Sequence, residues 1–202
     1  MIAATILSAG RSTRMGHPKA LLLYRGRTFL QGILDAAEAA GLRRILAVGA
    51  DANEILRGHD LRGVSVVTNT QMDAGPIGSI RAAIREIIDD PVEAVVVWPV
   101  DLPHVSLNTI ERLKDAFART GGPIVVPVYE GLRGHPAIFG RDVFDELLDE
   151  GLSDGAKTVV NQSSSRVIEV PVEDPAVVSD LNTPEEYEEL LRLEDRRRGE
   201  PG

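Results

Sequence analysis

Leu7-Ser8-Ala9-Gly10-Arg11-Ser12-Thr13-Arg14-Met15-Gly16-His17-Pro18-Lys19 is the stretch from which the rest of the chain is best read. It follows Ile2 to Leu7, a short run rich in β-branched residues and apolar on both faces. That is the pattern of a strand buried inside a parallel sheet. Small residues at Ser8, Ala9 and Gly10 let a ligand approach the backbone, whose N–H groups can cradle phosphate oxygens. Arg11, Arg14 and Lys19 place three positive charges within nine residues of an otherwise acidic chain. Lys19 is a mobile point charge of the kind that partners phosphate in such loops. A solvated basic loop is the plain alternative, but glycine spacing and basic spacing coincide immediately after a buried strand. The stretch is neither a G-x-x-x-x-G-K-[ST] loop nor a G-x-G-x-x-G fingerprint, so the two common nucleotide folds are disfavoured.

Outward from this loop, apolar runs and helical patterns alternate. Strands are predicted at Ile45 to Val48, Val64 to Thr68, Ala94 to Trp98, Ile124 to Pro127, Ala137 to Phe139 and Val167 to Val172. Helices are predicted at Phe29 to Ala40 with Gly41 as its stop, and at Gly78 to Ile88 with Ile80, Ala83, Ile84 and Ile87 on one face. Others follow at Ser106 to Arg119, Asp142 to Asp149 and Ala156 to Asn161. The final helix has a capping box, with Thr183 at N-cap, Pro184 at N1 and Glu186 at N3. After Leu193 the charged run suggests a disordered tail over 194–202, leaving one domain over 1–193. Strands alternating with helices predict a three-layer α/β/α sandwich. In such open sheets ligands bind where the loops gather at the carboxyl ends of the strands.

Those loops carry the remaining candidates. Asp101 leaves a buried apolar strand in Val100-Asp101-Leu102-Pro103, as a turn or cap residue or as a ligand for a hard cation such as Mg²⁺. Asp180 precedes the last helix and is not needed for its cap, so it is either a turn residue or a second carboxylate near the metal. Gly75-Pro76-Ile77-Gly78-Ser79 opens a helix whose free N–H groups suit an anion or the polar edge of a base; a simple capped helix explains it equally well. Asn69 joins that segment as a weaker candidate, Asn being also a common turn residue. His135, in Gly134-His135-Pro136, either meets an acceptor phosphate or is a structural turn histidine. His17, His59 and His104 lack metal-ligand spacing, and Ser163 to Ser165 reads as a turn, so no residue is marked as a protein nucleophile.

The first loop resembles the signature of the MobA-like nucleoside triphosphate transferases, L-A-A-G-x-S-x-R-M-G-x-x-K, with Ser8 as the one departure. The resemblance runs from about Ile2 to Leu191 and is strongest to the molybdenum cofactor cytidylyltransferase branch. It implies a mostly parallel sheet of about seven strands, one of them antiparallel. It also implies Asp101 as metal ligand in D-x-P, Asp180 as a second, and a G-x-x-x-S segment, Gly75 to Ser79, against the nucleotide. The implied reaction is Mg²⁺-dependent attack of an acceptor phosphate on the α-phosphate of a nucleoside triphosphate. Arg14 and Lys19 neutralise charge, while Leu7 to Gly10, Arg11, Asn69, Gly75, Gly78 and Ser79 bind the nucleotide. CTP is the implied donor and a molybdopterin-type cofactor the acceptor, with a molybdoenzyme as possible partner. GTP, a sugar or polyol phosphate acceptor, and a non-catalytic cofactor-binding role are the alternatives.

Composition agrees with an ordinary soluble chain: 202 residues, 43% hydrophobic and 26% charged. Lys+Arg 22 against Asp+Glu 31 gives a net charge of −9, which argues against nucleic acid or anionic membranes as partners. With Cys 0 there is no disulfide, thiolate zinc site or cysteine nucleophile. No apolar run approaches the roughly 18 residues of a membrane span, and no leader pattern follows Met1, so a cytoplasmic protein is expected.

Overall fold

The computed structural model describes residues 1–10 and 15–199. The strands are β1 (Ile2–Ser8), β2 (Leu23–Tyr24), β3 (Arg27–Thr28), β4 (Arg43–Val48), β5 (Val64–Thr68), β6 (Ala94–Pro99), β7 (Ile124–Tyr129), β8 (Leu132–Arg133), β9 (Ala137–Gly140) and β10 (Val167–Pro171). The helices are α1 (Phe29–Ala39), α2 (Ala52–Arg57), α3 (Pro76–Ile87), α4 (Leu107–Thr120), α5 (Phe144–Leu148), α6 (Ala156–Asn161) and α7 (Pro184–Gly199). The main sheet runs β10-β7-β9-β6-β1-β4-β5, with the two-residue β8 paired to β7. β1 is parallel to both β4 and β6, and β9 is antiparallel to both β6 and β7. The chain is thus the expected α/β sheet of seven main strands with one of them reversed.

Alternation along the central strands feeds two cores. Ala4, Ile6, Val96 and Trp98 face the layer built from α1 and α4, with Leu30, Leu34, Ile110 and Leu113. Ala3, Val95 and Val97 face the layer of α3 and α5, with Ile80, Ile84, Phe144 and Leu147. Strands covered on both faces lose the apolar-polar alternation of a half-exposed sheet, which is why Ile2 to Leu7 and Ala94 to Trp98 read as continuous apolar runs. α1 stops in a Schellman motif: Gly41 N donates to Glu38 O at 2.9 Å and Leu42 N to Ala37 O at 2.9 Å. Gly41 takes φ +67°, which its lack of a Cβ permits at little cost.

Several expectations are corrected. The helix expected over Asp142 to Asp149 is a 3₁₀ turn, Arg141–Val143, followed by α5. The expected disorder after Leu193 does not begin there, because α7 continues to Gly199 and buries Glu194. α2 and the β2–β3 hairpin were not foreseen. Two-residue strands are too short to show a period, and the hairpin turns on Arg25 (φ 52°) and Gly26 (φ 77°), the positive pair a tight primed turn requires. Among the described residues no helix is long and apolar enough to cross a membrane.

Candidate active site

Lys19 sits on a 3₁₀ turn, Lys19–Leu21, that ends the loop after β1. Its Nζ donates to Asp101 Oδ2 at 2.8 Å and to Asn182 Oδ1 at 2.9 Å. Three separate segments therefore meet at one ammonium group. Asp101 is fixed from below. Val100 N donates to Leu7 O at 3.2 Å, Leu102 N to Pro99 O at 3.2 Å, and the buried Trp98 Nε1 to Leu102 O at 3.1 Å. Asn182 is fixed by the start of α7. Glu186 Oε2 accepts from Asn182 N at 2.6 Å and from Thr183 N at 2.9 Å, while Glu186 N donates to Thr183 Oγ1 at 3.3 Å. This is the reciprocal capping box expected from the sequence.

These groups border a cleft of about 860 Å³ at the carboxyl ends of β1, β5 and β6. Leu7, Ser8, Ala9, Gly10, Lys19, Asn69, Gly75, Ser79, Asp101, His135 and Asp180 all line it. Arg11 and Arg14 lie outside the described residues. Gly78 is not among the residues that line the cleft, though its neighbours Ile77 and Ser79 are. A Cβ there would stand 2.5 Å from Asn69 Oδ1 and 2.8 Å from Gln71 O, so the close approach that needs glycine is made by the protein itself. Asn69 is buried in that contact. Its Nδ2 donates to Ser79 Oγ at 3.1 Å and its Oδ1 accepts from Gln71 N at 2.8 Å. Gly75 caps α3 with φ 70° and ψ −148°, a conformation open essentially to glycine alone.

Charge is concentrated at the mouth of the cleft. Asp180 is raised above the usual carboxylate range by burial and by the negative charge of Asp101, with His135 and Lys19 pulling the other way. The His135 imidazole is pushed below its ordinary value by desolvation, against the upward pull of Asp180 and Asp101. Solvent reaches both side chains, so the desolvation is partial. His135 is held by its backbone, N donating to Val177 O at 2.8 Å. The preceding Gly134 must be glycine, since a Cβ would fall 2.1 Å from Val177 O.

Among the described residues no group of three His, Cys, Asp or Glu side chains is gathered to hold a metal. Asp101 and Asp180, which both line the cleft, are nonetheless oxygen donors that suit a hard cation completing its shell with water and phosphate. The sequence reading missed Asn182, which it gave to the turn, and the segment from Ser153 to Lys157, which also lines the cleft. Asn182 carries a turn signal and a cleft position at once, and only the second depends on tertiary structure.

A basic, glycine-containing loop, a strand-end aspartate and a cleft over the sheet's carboxyl edge define a nucleotidyltransferase-type α/β protein. The chain belongs to the MobA-like NTP transferase domain family, whose model matches residues 4–167, and it is a nucleotidyltransferase of that type. It is 31% identical over 212 residues to the molybdenum cofactor guanylyltransferase of Rhizobium meliloti (strain 1021), covering 96% of this chain and 94% of that one. It is 26% identical over 200 residues to the nicotine blue oxidoreductase of Paenarthrobacter nicotinovorans, covering 94% and 96%. Against the bifunctional protein GlmU of Agrobacterium fabrum (strain C58 / ATCC 33970) it is 32% identical over 141 residues, 68% of this chain, and spans only 30% of that longer protein. Rv0371c from Mycobacterium tuberculosis H37Rv superposes with a TM-score of 0.82 at 33% identity, covering 95% and 98% of the two chains. A complex of the same protein with manganese superposes with a TM-score of 0.79 at 32% identity, with the same coverage.

Proposed function

We propose that the protein transfers a guanylyl group from GTP to the terminal phosphate of a molybdopterin-type acceptor. The observation that carries this reading is the junction of Lys19, Asp101 and Asn182 inside a cleft large enough for a nucleotide. GTP replaces the CTP expected from the sequence because relatives of matching length are named molybdenum cofactor guanylyltransferases. An acceptor phosphate oxygen attacks the α-phosphorus, a new P–O bond forms, and the bond to the β-phosphate breaks as pyrophosphate leaves with its electron pair. The attacking oxygen is already anionic, so no protein base is required, and catalysis is positioning with charge neutralisation.

Lys19 exchanges its bond to Asp101 for a phosphate oxygen, and Arg14 supplies a second positive charge. The backbone of Leu7 to Gly10 and the segment from Asn69 to Ser79 read the nucleoside, and His135 faces the acceptor. Asp101 and Asp180 would hold Mg²⁺. When bound, it supplies charge neutralisation at the phosphate oxygens. The fit rests on two carboxylates that line the same cleft and on their hard oxygen donors.

Pyrophosphate release from each of the four triphosphates, with Mg²⁺ and molybdopterin, is the direct test. Release that requires both GTP and the acceptor supports the proposal. A preference for CTP restores the cytidylyl reading. Oxidation of a reduced nicotinamide without pyrophosphate release overturns the proposal in favour of a redox role like that named for the Paenarthrobacter relative.

A further inference from the structure

Lys19 and Asn182 stand near the ends of two segments that are fastened together some distance from the cleft. One segment passes from the Lys19–Leu21 turn directly into the β2–β3 hairpin. The other passes from Asn182 directly into α7. Near the far end of α7, Glu194 is a buried acidic residue, 9% exposed. Its Oε2 accepts from Tyr24 Oη at 3.0 Å and from Arg25 Nη2 at 2.8 Å, and its Oε1 accepts from Arg25 Nε at 2.8 Å. A two-point Arg–carboxylate fork fixes orientation as well as distance. Arg25 reaches it from a left-handed backbone position, φ 52°, at the hairpin turn. In the first turn of α7, Tyr187 Oη donates to Leu23 O at 2.7 Å, and its ring packs edge-on against Phe29 with centroids 5.7 Å apart.

A surface helix needs apolar packing and does not need a buried carboxylate. Leu190 and Leu191 already pack against the core. Burying a charge costs stability unless it is fully paired, so its use here calls for a geometric reason. We propose that Glu194 is a positioning residue for Lys19. By locking α7 onto the hairpin it fixes the distance between the segments that carry Asn182 and Lys19, and so keeps the ammonium aimed at the phosphate site. This rests on the reading of Lys19 as the phosphate partner, but the lock itself can be measured without turnover.

Lys19, Lys114 and Lys157 are the lysines of the chain, which makes acylation simple to follow. The protein is treated with sulfo-N-hydroxysuccinimide acetate, and each lysine is followed by peptide mass spectrometry in wild type, Glu194→Gln and Tyr24→Phe. Lys19, with its side chain 13% exposed between two acceptors, should react slowly in wild type and at least about fivefold faster in Glu194→Gln. Tyr24→Phe removes one bond and should show a smaller rise. It also covers the case in which Glu194→Gln does not fold. Lys157, 70% exposed on α6, is the internal control and should not change. Equal Lys19 rates in wild type and the folded variants overturn the proposal, whatever the enzyme turns over. Where pyrophosphate release is measurable, Glu194→Gln should lower kcat about tenfold with little change in the KM for the triphosphate. In an Asn182→Ala background the same change should have less than about a twofold effect, since residues acting through one contact are not additive. Additive losses would show that Glu194 acts elsewhere.

Discussion

At the scale of single residues, the ion pair of Lys19 with Asp101 sets what each can do before substrate arrives. The two side chains are only 13% and 19% exposed, so the pair lies in a partly dry setting. In the proposed reaction a triphosphate would offer Lys19 a stronger anion and leave Asp101 for the cation. Lys19→Ala and Asp101→Ala should each lower turnover by on the order of a hundredfold or more, the loss expected for a transition-state charge contact. Circular dichroism should show the fold retained, and near wild-type rates in either variant would remove the mechanism. Asp180 differs from Asp101 in its support. Asp101 is pinned through Leu7, Pro99 and Trp98, whereas Asp180 reaches solvent in the turn before α7. A carboxylate already in place contributes more to cation affinity than one that must be ordered. Asp180→Asn should therefore raise the Mg²⁺ requirement while slowing the reaction less than Asp101→Asn does. A Mg²⁺ titration in which Asp180→Asn matches wild type would make Asp180 a turn residue only. The sequence marked Lys19, Asp101 and Asp180 because charge after a buried strand or before a capped helix is visible locally. It did not show the close contact of Gly78 with Asn69, because that neighbour is set by the fold.

At the scale of elements, local chemistry was legible wherever one signal sufficed. The Thr183–Glu186 box, the Ser106 cap accepting from Thr109 N at 3.2 Å, and the Gly41 stop are all formed. α2 was not legible, because six residues with Ile55 as the one buried side chain show no period. α7 past Leu193 was misread for a physical reason. Its charged run looks solvated, and the partners that bury Glu194 lie about 170 residues away in sequence. Asp174 is another long-range cap of this kind. It accepts from Ser106 N at 2.9 Å, Thr109 Oγ1 at 2.7 Å and Ala176 N at 3.2 Å, tying the start of α4 to the turn before α7. Burial raises its carboxyl, but those donors outweigh it and leave the group below the usual range. Such a depressed carboxylate stabilises the fold above its unfolded value of about 3.9, and the contribution is lost as pH falls through the folded value. Asp174→Ala should cost about 1 kcal/mol at neutral pH. The gap from wild type in urea melts should narrow below about pH 4, and a gap that stays constant on acidification would mean that charge plays no part.

At the scale of the whole molecule, one sheet separates two cores, and the cleft lies where the loops of both layers meet. Trp98 is the chain's single tryptophan and is fully buried in β6 between the strands that carry Leu7 and Phe139. Its fluorescence reports the centre of the sheet, while far-UV circular dichroism is weighted toward the helices, α7 among them. α7 reaches the core through Tyr187, Leu190 and Leu191 and reaches the hairpin through Glu194 and the Tyr187 hydroxyl. Its outer face carries the ion pairs of Arg192 with Glu188 and Glu189, which are solvent-exposed and contribute little. The attachment of α7 therefore depends on a few partly buried apolar side chains, the Tyr187 hydrogen bond and one ionic contact buried on its Glu194 side, against a net charge of −9 that opposes compaction. If those contacts suffice, the chain unfolds in urea as one cooperative unit and the two probes give the same midpoint, the usual test of two-state behaviour. That is the expected result. In Glu194→Gln the circular dichroism transition should begin at lower urea than the fluorescence transition, because α7 can then leave while β6 remains paired. Coincident curves in that variant, shifted together, would show that Glu194 supports the whole sheet and not the docking of one helix. Separate transitions already present in wild type would show that α7 unfolds on its own, and would place the edge of the cooperative unit before Pro184.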